Sequence, residues 1–177
     1  AISPIDNQPI GSYTCNTAAE IDSMVLAARN AGKAWAVSDV KQRTRRLAGF
    51  SRLVLSDVDA ICSLISRTTG KVLSEALLGE IIPLLDLARF YQRHATGILR
   101  NRSVPTSLLS FPAATAGISR KPYGVVAIIS PWNYPFQITA SIALSALYAG
   151  NAVIFKMSEL SLPVGELLLS LFARLGL

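Results

Sequence analysis

The chain has 177 residues, 51% of them hydrophobic and only 16% charged. That length suits one domain, or one and a piece, and the composition supplies a sizeable core. The net charge of +6 comes with no basic run interleaved with aromatics, so a nucleic-acid surface is excluded and an ordinary surface excess remains. So low a charged fraction suits a surface that packs against further chain or partner subunits better than a free-standing domain.

Residues 1–15 are turn-rich, with Pro4, Pro9 and Gly11, and are expected to lie extended on the surface. Cys15 and Cys62 make no disulfide framework, and nothing at the start reads as a signal peptide. A reducing, cytoplasmic setting is expected. Thr17-Ala18-Ala19-Glu20 forms a capping box. Ile21, Met24, Val25 and Ala28 then recur at helical spacing, which predicts an apolar face. Ser38 or Asp39 opens a second helix with Leu47, Phe50 and Val54 inward. Lys41, Arg43, Arg45 and Arg46 are expected on its solvated side. Ser56-Asp57-Val58-Asp59 caps a third helix whose Val58, Ile61, Cys62 and Ile65 share a buried face. Cys62 therefore reads as core, not as a nucleophile. Gly70 ends that helix and Lys71 sits in the turn.

Ser74 to about Leu99 reads as a long helix bent near Pro83, because proline removes a helix hydrogen bond. His94, the one histidine, lies among arginines with no second metal-type ligand at useful spacing, so no metal site is expected. Between Arg102 and Lys121 the pattern changes to two short strands around a Pro-Ala-Ala bend, with Leu108, Leu109 and Phe111 as apolar residues of the hairpin. Ser161-Leu162-Pro163 starts a last, leucine-rich helix over 164–175.

The organising stretch is Tyr123–Glu159, within which no charge occurs until Lys156. Tyr123–Ser130 is apolar and rich in β-branched residues, as suits a strand covered on both faces. Pro131–Pro135 interrupts it. Phe136–Ala149 suits a buried helix, Gly150-Asn151 stops it, and Ala152–Phe155 is a second buried strand. Strand, helix and strand imply a right-handed parallel crossover, with ligands expected beyond the carboxyl ends of the strands. A membrane span is excluded, since the helix falls short of the roughly 20 apolar residues required and Pro131, Asn133 and Pro135 lie beside it.

Ile129-Ser130-Pro131-Trp132-Asn133-Tyr134-Pro135, then Ala149-Gly150-Asn151, then Lys156-x-Ser158-Glu159, resembles the aldehyde dehydrogenase superfamily in motif order and spacing. The resemblance implies an α/β fold: a helical N-terminal segment (1–103), a β-hairpin arm joining a neighbouring subunit (104–121), and the start of a Rossmann-like parallel sheet (122–177). It implies oxidation of an aldehyde to a carboxylic acid with NAD, NADP being possible, in a homo-oligomer. It assigns Asn133 to the oxyanion hole of the thiohemiacetal that a cysteine forms on the aldehyde, a task suited to a neutral amide donor. It places Lys156 and Glu159 on the adenosine ribose, where the carboxylate would disfavour a 2′-phosphate. Ile129, Ser130, Pro131 and Trp132 are expected along the same cleft, largely through their backbone. The residues alone also allow Asn133 as a plain turn asparagine and Lys156–Glu159 as a surface ion pair.

Some family features are missing or altered. Relatives commonly carry a glutamate just before the Gly-Lys pair, where Thr68 and Thr69 stand here, a change expected to affect packing. Met157 replaces a common proline and is expected to loosen its loop. The family's nucleophilic cysteine and general-base glutamate lie beyond the part of the family that this chain matches. The chain therefore reads as the N-terminal part of an aldehyde dehydrogenase, supplying an oxyanion donor and ribose contacts. The alternative is a non-catalytic remnant that acts as an interaction module through its arm.

Overall fold

A computed structural model describes residues 1–107 and 114–177. Thr17 starts α1 (Ala18–Val37). Its hydroxyl accepts from the Glu20 N–H, and Glu20 Oε2 accepts the Thr17 N–H at 2.7 Å, which completes the expected capping box. The apolar face expected on this helix is not buried. Ile21 and Met24 are each 48% exposed, and the helix's buried residue is Gly32. A Cβ on Gly32 would come within 3.1 Å of that of Ala152, so α1 meets the sheet through small residues set close together rather than through an apolar stripe.

The expected second helix is two, α2 (Val40–Leu47) and α3 (Gly49–Ser56), joined at Ala48. Leu47, Phe50 and Val54 are buried as expected, with Phe50 stacked on Phe172 at 5.2 Å. Arg43 is not on the solvated side. It stands four residues before Leu47, hence on the same inward face, and is 5% exposed. Its Nε donates to the Tyr148 carbonyl at 3.1 Å, and its Nη1 donates to the carbonyls of Trp35 and Ser38. Lys41, Arg45 and Arg46 remain exposed.

In α4 (Val58–Thr69), Ile61, Cys62 and Ile65 are buried, and Gly70 ends the helix at φ +80°. Burial, with Asp59 and Glu80 as lesser causes, pushes the Cys62 thiol up, away from nucleophile behaviour. Asp57 does not cap this helix with its side chain; it accepts from Ser56 Oγ and pairs with Arg174. The hydroxyls of Thr68 and Thr69 donate back to the carbonyls of Leu64 and Ile65 in the last turn of the helix.

Near Pro83 the expected bend is a π turn. Helix α5 (Leu73–Ala76) passes through the wide turn Leu77–Ile81 into α6 (Ile82–Leu99), with the Ile82 N–H reaching back to Leu77. The wider turn lets the chain continue past a residue with no N–H to give. His94 is exposed and lies against Phe90, with ring centres 4.8 Å apart.

Strands β1 (Arg102–Val104) and β2 (Ala116–Ile118) pair antiparallel, Ser103 opposite Gly117, and form the expected hairpin. Leu108, Leu109 and Phe111 lie outside the described residues.

Strand β3 (Val125–Ile129) pairs parallel with β4 (Ala152–Lys156), and α7 (Pro135–Tyr148) connects them and packs against both. Gly150 at φ +91° and Asn151 end α7. Asn151 Oδ1 then accepts the Gly124 N–H at 3.0 Å, which ties the entries of the two strands together. The strands are less covered than their composition implied. Ile128 is the buried residue of β3, Ile129 is 81% exposed and Tyr123 is 96% exposed. With two strands described, each has one unpaired edge, so apolar content is not matched by cover. Helix α8 (Leu162–Arg174) closes the core with Val164, Leu168, Leu171 and Phe172. Among the described residues no helix is long and apolar enough to cross a membrane.

Candidate active site and cofactor edge

The parallel register pairs Ile129 with Lys156, and the Ser130 N–H donates to the Lys156 carbonyl at 3.0 Å. Both strands therefore finish level, and the Pro131–Pro135 turn and the Lys156–Glu159 loop leave from one edge. That is where a parallel sheet presents its ligand site.

Asn133 is exposed in the first loop. Its carboxamide makes no bond to its own turn among the described residues, which leaves a neutral N–H donor directed outward. Trp132 is 55% exposed and Pro131 is exposed. Ser130 differs: it is 4% exposed, and its hydroxyl shares a hydrogen bond with Thr139 on α7. Its side chain thus faces the core, and its backbone N–H is used by Lys156.

In the second loop Lys156 and Glu159 face each other at 4.0 Å, with side chains 68% and 79% exposed. The Glu159 carboxyl is held below its ordinary range first by its own backbone N–H, then by the Ser158 hydroxyl and by Lys156. It is an anion with free acceptor capacity at neutral pH. Met157 does not loosen this loop. It is 4% exposed and rests on Gly165, while Thr139 Oγ1 lies 3.4 Å from its sulfur, so packing pins the loop to α7 and α8.

Two residues escaped sequence reasoning. Glu80, in the π turn, is fully buried and pairs with Lys71 at 2.7 Å. Its Oε2 accepts from the Phe136 and Gln137 N–H groups at 2.9 and 3.2 Å. These are the open amides at the start of α7, for which Tyr134 provides no side-chain cap. Lys71 also donates to the Asn133 carbonyl and lies 3.7 Å from the centre of the Tyr134 ring. The one hint in sequence was a lone carboxylate within the run Leu77-Leu78-Gly79-Glu80-Ile81-Ile82.

A cavity of about 470 Å³ lies elsewhere, between α1, α7, β4 and α8, lined by Trp35, Leu147 and Phe172 among others, and none of the site residues borders it. Asn133, Lys156 and Glu159 instead stand exposed along the strand edge.

The model of the aldehyde dehydrogenase family matches residues 1–177, the whole chain. The chain belongs to the aldehyde dehydrogenase family. A 4,4′-diapolycopene aldehyde oxidase of Methylomonas sp is 50% identical across all of the chain and 33% of its own length. An N-succinylglutamate 5-semialdehyde dehydrogenase of Pseudomonas fluorescens is 32% identical over all of the chain and 35% of its own length. Among solved structures, an NAD-dependent benzaldehyde dehydrogenase from Corynebacterium glutamicum superposes with a TM-score of 0.90 at 25% identity, over 99% of this chain and 38% of that one. The chain thus spans about a third of the length of the curated relatives it matches. The N-terminal part of the aldehyde dehydrogenase fold, inferred from three short motifs, is the fold observed.

Proposed function

We propose that residues 1–177 are the part of an NAD(P)-dependent aldehyde dehydrogenase that supplies the oxyanion donor and the adenosine-end contacts. The observation that carries this reading is the shared edge: Asn133 leaves one strand and Lys156 with Glu159 leave its parallel neighbour, with Ile129 and Lys156 in register.

In the intact enzyme the Asn133 carboxamide donates to the aldehyde oxygen as that oxygen gains negative charge. Such a donor is effective because it is already oriented before charge develops. Glu159 accepts from the ribose hydroxyls, Lys156 donates there, and Trp132 and the backbone of Ile129 and Pro131 border the cofactor. The donor set fits a ribose, since an exposed carboxylate and ammonium three residues apart match a pair of hydroxyls. Bound NAD(P) supplies the hydride acceptor. Neither Cys62, buried in the core, nor Cys15, exposed ahead of α1, is assigned the nucleophile's role.

We propose an apolar aldehyde as substrate. The relative named for 4,4′-diapolycopene aldehyde supports this. So do the exposed Leu78 and Ile82 flanking Gly79, above which the Tyr134 ring next to Asn133 lies. We also propose that the 104–121 arm joins copies of the chain, because every residue of β1 and β2 is exposed, Val104 and Ile118 included.

Replacing Asn133 tests the reading. In the intact enzyme Asn133→Ala should slow acylation by roughly 10²–10³-fold, the usual effect of losing one oxyanion donor, with cofactor affinity unchanged. Wild-type turnover in that variant, followed as NAD(P)H absorbance, removes Asn133 from the reaction.

A further inference from the structure

The geometry assigns Lys71 and Glu80 as positioning residues that hold the Asn133 turn in its working orientation, an inference that rests on the oxyanion role proposed above for Asn133. Glu80 is fully buried and Lys71 nearly so, their side chains 0% and 11% exposed. A buried pair of this kind adds little stability over an apolar pair of equal volume, so stability alone gives no reason for it. What the pair does is grip the turn from both ends. Lys71 holds the carbonyl of Asn133 itself and packs on the ring of Tyr134. Glu80 holds the amides of Phe136 and Gln137. Thr68 and Thr69 finish the helix before Lys71, and the Thr69 hydroxyl accepts the Lys71 N–H at 3.3 Å, so the lysine's own backbone is tethered.

The grip acts on the backbone and leaves the Asn133 carboxamide unengaged. Asn133 and Tyr134 lie between two prolines, one of which, Pro135, begins α7. Gly79 completes the device. A Cβ there would meet the Tyr134 ring at 3.1 Å, so the π turn that presents Glu80 also lets the ring lie close. The wide turn Leu77–Ile81 is thereby tied to the same purpose: it turns one carboxylate inward from an otherwise leucine-rich helix, toward the start of α7.

The test is a double-mutant cycle in the intact enzyme, with pre-steady-state acylation and cofactor KM as readouts. Lys71→Met should slow acylation by about 10- to 100-fold, the scale expected for a small misplacement of a reacting group, with the KM for cofactor unchanged. In an Asn133→Ala background Lys71→Met should have almost no further effect, because the group it orients is gone. If Lys71→Met does not fold, Lys71→Arg carries the test. It keeps the charge beside Glu80 but cannot seat a planar guanidinium between ring and carbonyl in the same way. It should show a smaller loss that also vanishes in the Asn133→Ala background. A loss that persists undiminished without the Asn133 amide, or one that falls equally on cofactor KM, overturns the positioning role while leaving the oxyanion role standing. Full activity of Asn133→Ala by itself overturns both.

Discussion

Ile129 of β3 stands opposite Lys156 of β4, and the next residue's N–H closes on the Lys156 carbonyl at 3.0 Å. This one register decides which side chains share an edge. A slip of one residue would turn Lys156 to the other face of the sheet and would draw Glu159 away from the loop that carries Asn133. Lys71 and Glu80 contact the first loop from beneath, at the Asn133 carbonyl and the Phe136 and Gln137 amides, and the buried Met157 underlies the second.

Glu159 should set the choice between NAD and NADP. It is ionised at neutral pH and exposed, so a 2′-phosphate placed on it would meet like charge. Glu159→Gln keeps an acceptor for the ribose and removes the charge. The ratio of kcat/KM for NADP to that for NAD should then rise by about tenfold at low salt, less as salt screens the repulsion. A ratio that stays put in the variant would place the ribose elsewhere.

Arg43 should matter for folding more than any other basic residue of α2. Its guanidinium donates to carbonyls at the end of α7 and the end of α1, which joins the two helices alongside the bond from Trp35 Nε1 to the Leu147 carbonyl. Its head group also lies against Gly150, where a Cβ would come within 3.3 Å of the guanidinium carbon. Arg43→Met strands the Tyr148 and Ser38 carbonyls, while that of Trp35 keeps its bonds from Ser38, and should cost about 2–4 kcal/mol in urea unfolding. Arg43→Lys should recover less than half of that, since a single ammonium cannot reach carbonyls on both helix ends. A loss within 0.5 kcal/mol of zero, of the order seen for plain surface changes, would mean the carbonyls find water instead.

The unit β3–α7–β4 was legible because a long uncharged run, broken by Pro131, Pro135 and Gly150, admits few other readings. Its helix and strands fall within a residue or two of expectation, apart from the first strand's exposed entry at Tyr123. Arg43 and Glu80 were illegible for a common reason. Their partners Tyr148 and Phe136 lie 105 and 56 residues away, and nothing local distinguishes a buried charge from a solvated one. Ile21 and Met24 failed in the opposite sense. Helical spacing names a face, but it does not say whether anything covers that face. The strands failed likewise, since apolar content shows what a strand tolerates and not how many neighbours it has. Motif spacing singled out Asn133, Lys156 and Glu159, which the fold brings to one strand edge, whereas the Lys71–Glu80 pair beneath the Asn133 turn required the fold.

Tyr148 should give the protein an alkaline limit. It ends α7, is 2% exposed, and packs on Tyr91 with ring centres 5.4 Å apart. Burial pushes its phenol up to about 12 from an ordinary 10.0. The folded state therefore holds the proton more tightly than the unfolded chain does. By linkage, stability from this group is fully present below pH 10 and is lost as pH rises through about 12. Tyr148→Phe removes the titrating group and keeps the ring, so its unfolding free energy should stay flatter between those values. The measurement is urea unfolding at a series of alkaline pH values, with tyrosinate absorbance near 295 nm followed in parallel. In the wild type, part of the tyrosinate signal should appear only together with unfolding. If wild type and Tyr148→Phe lose stability along the same curve, the alkaline limit lies with the lysines or with another tyrosine, and Tyr148 is reached by solvent more readily than its packing against α6 implies.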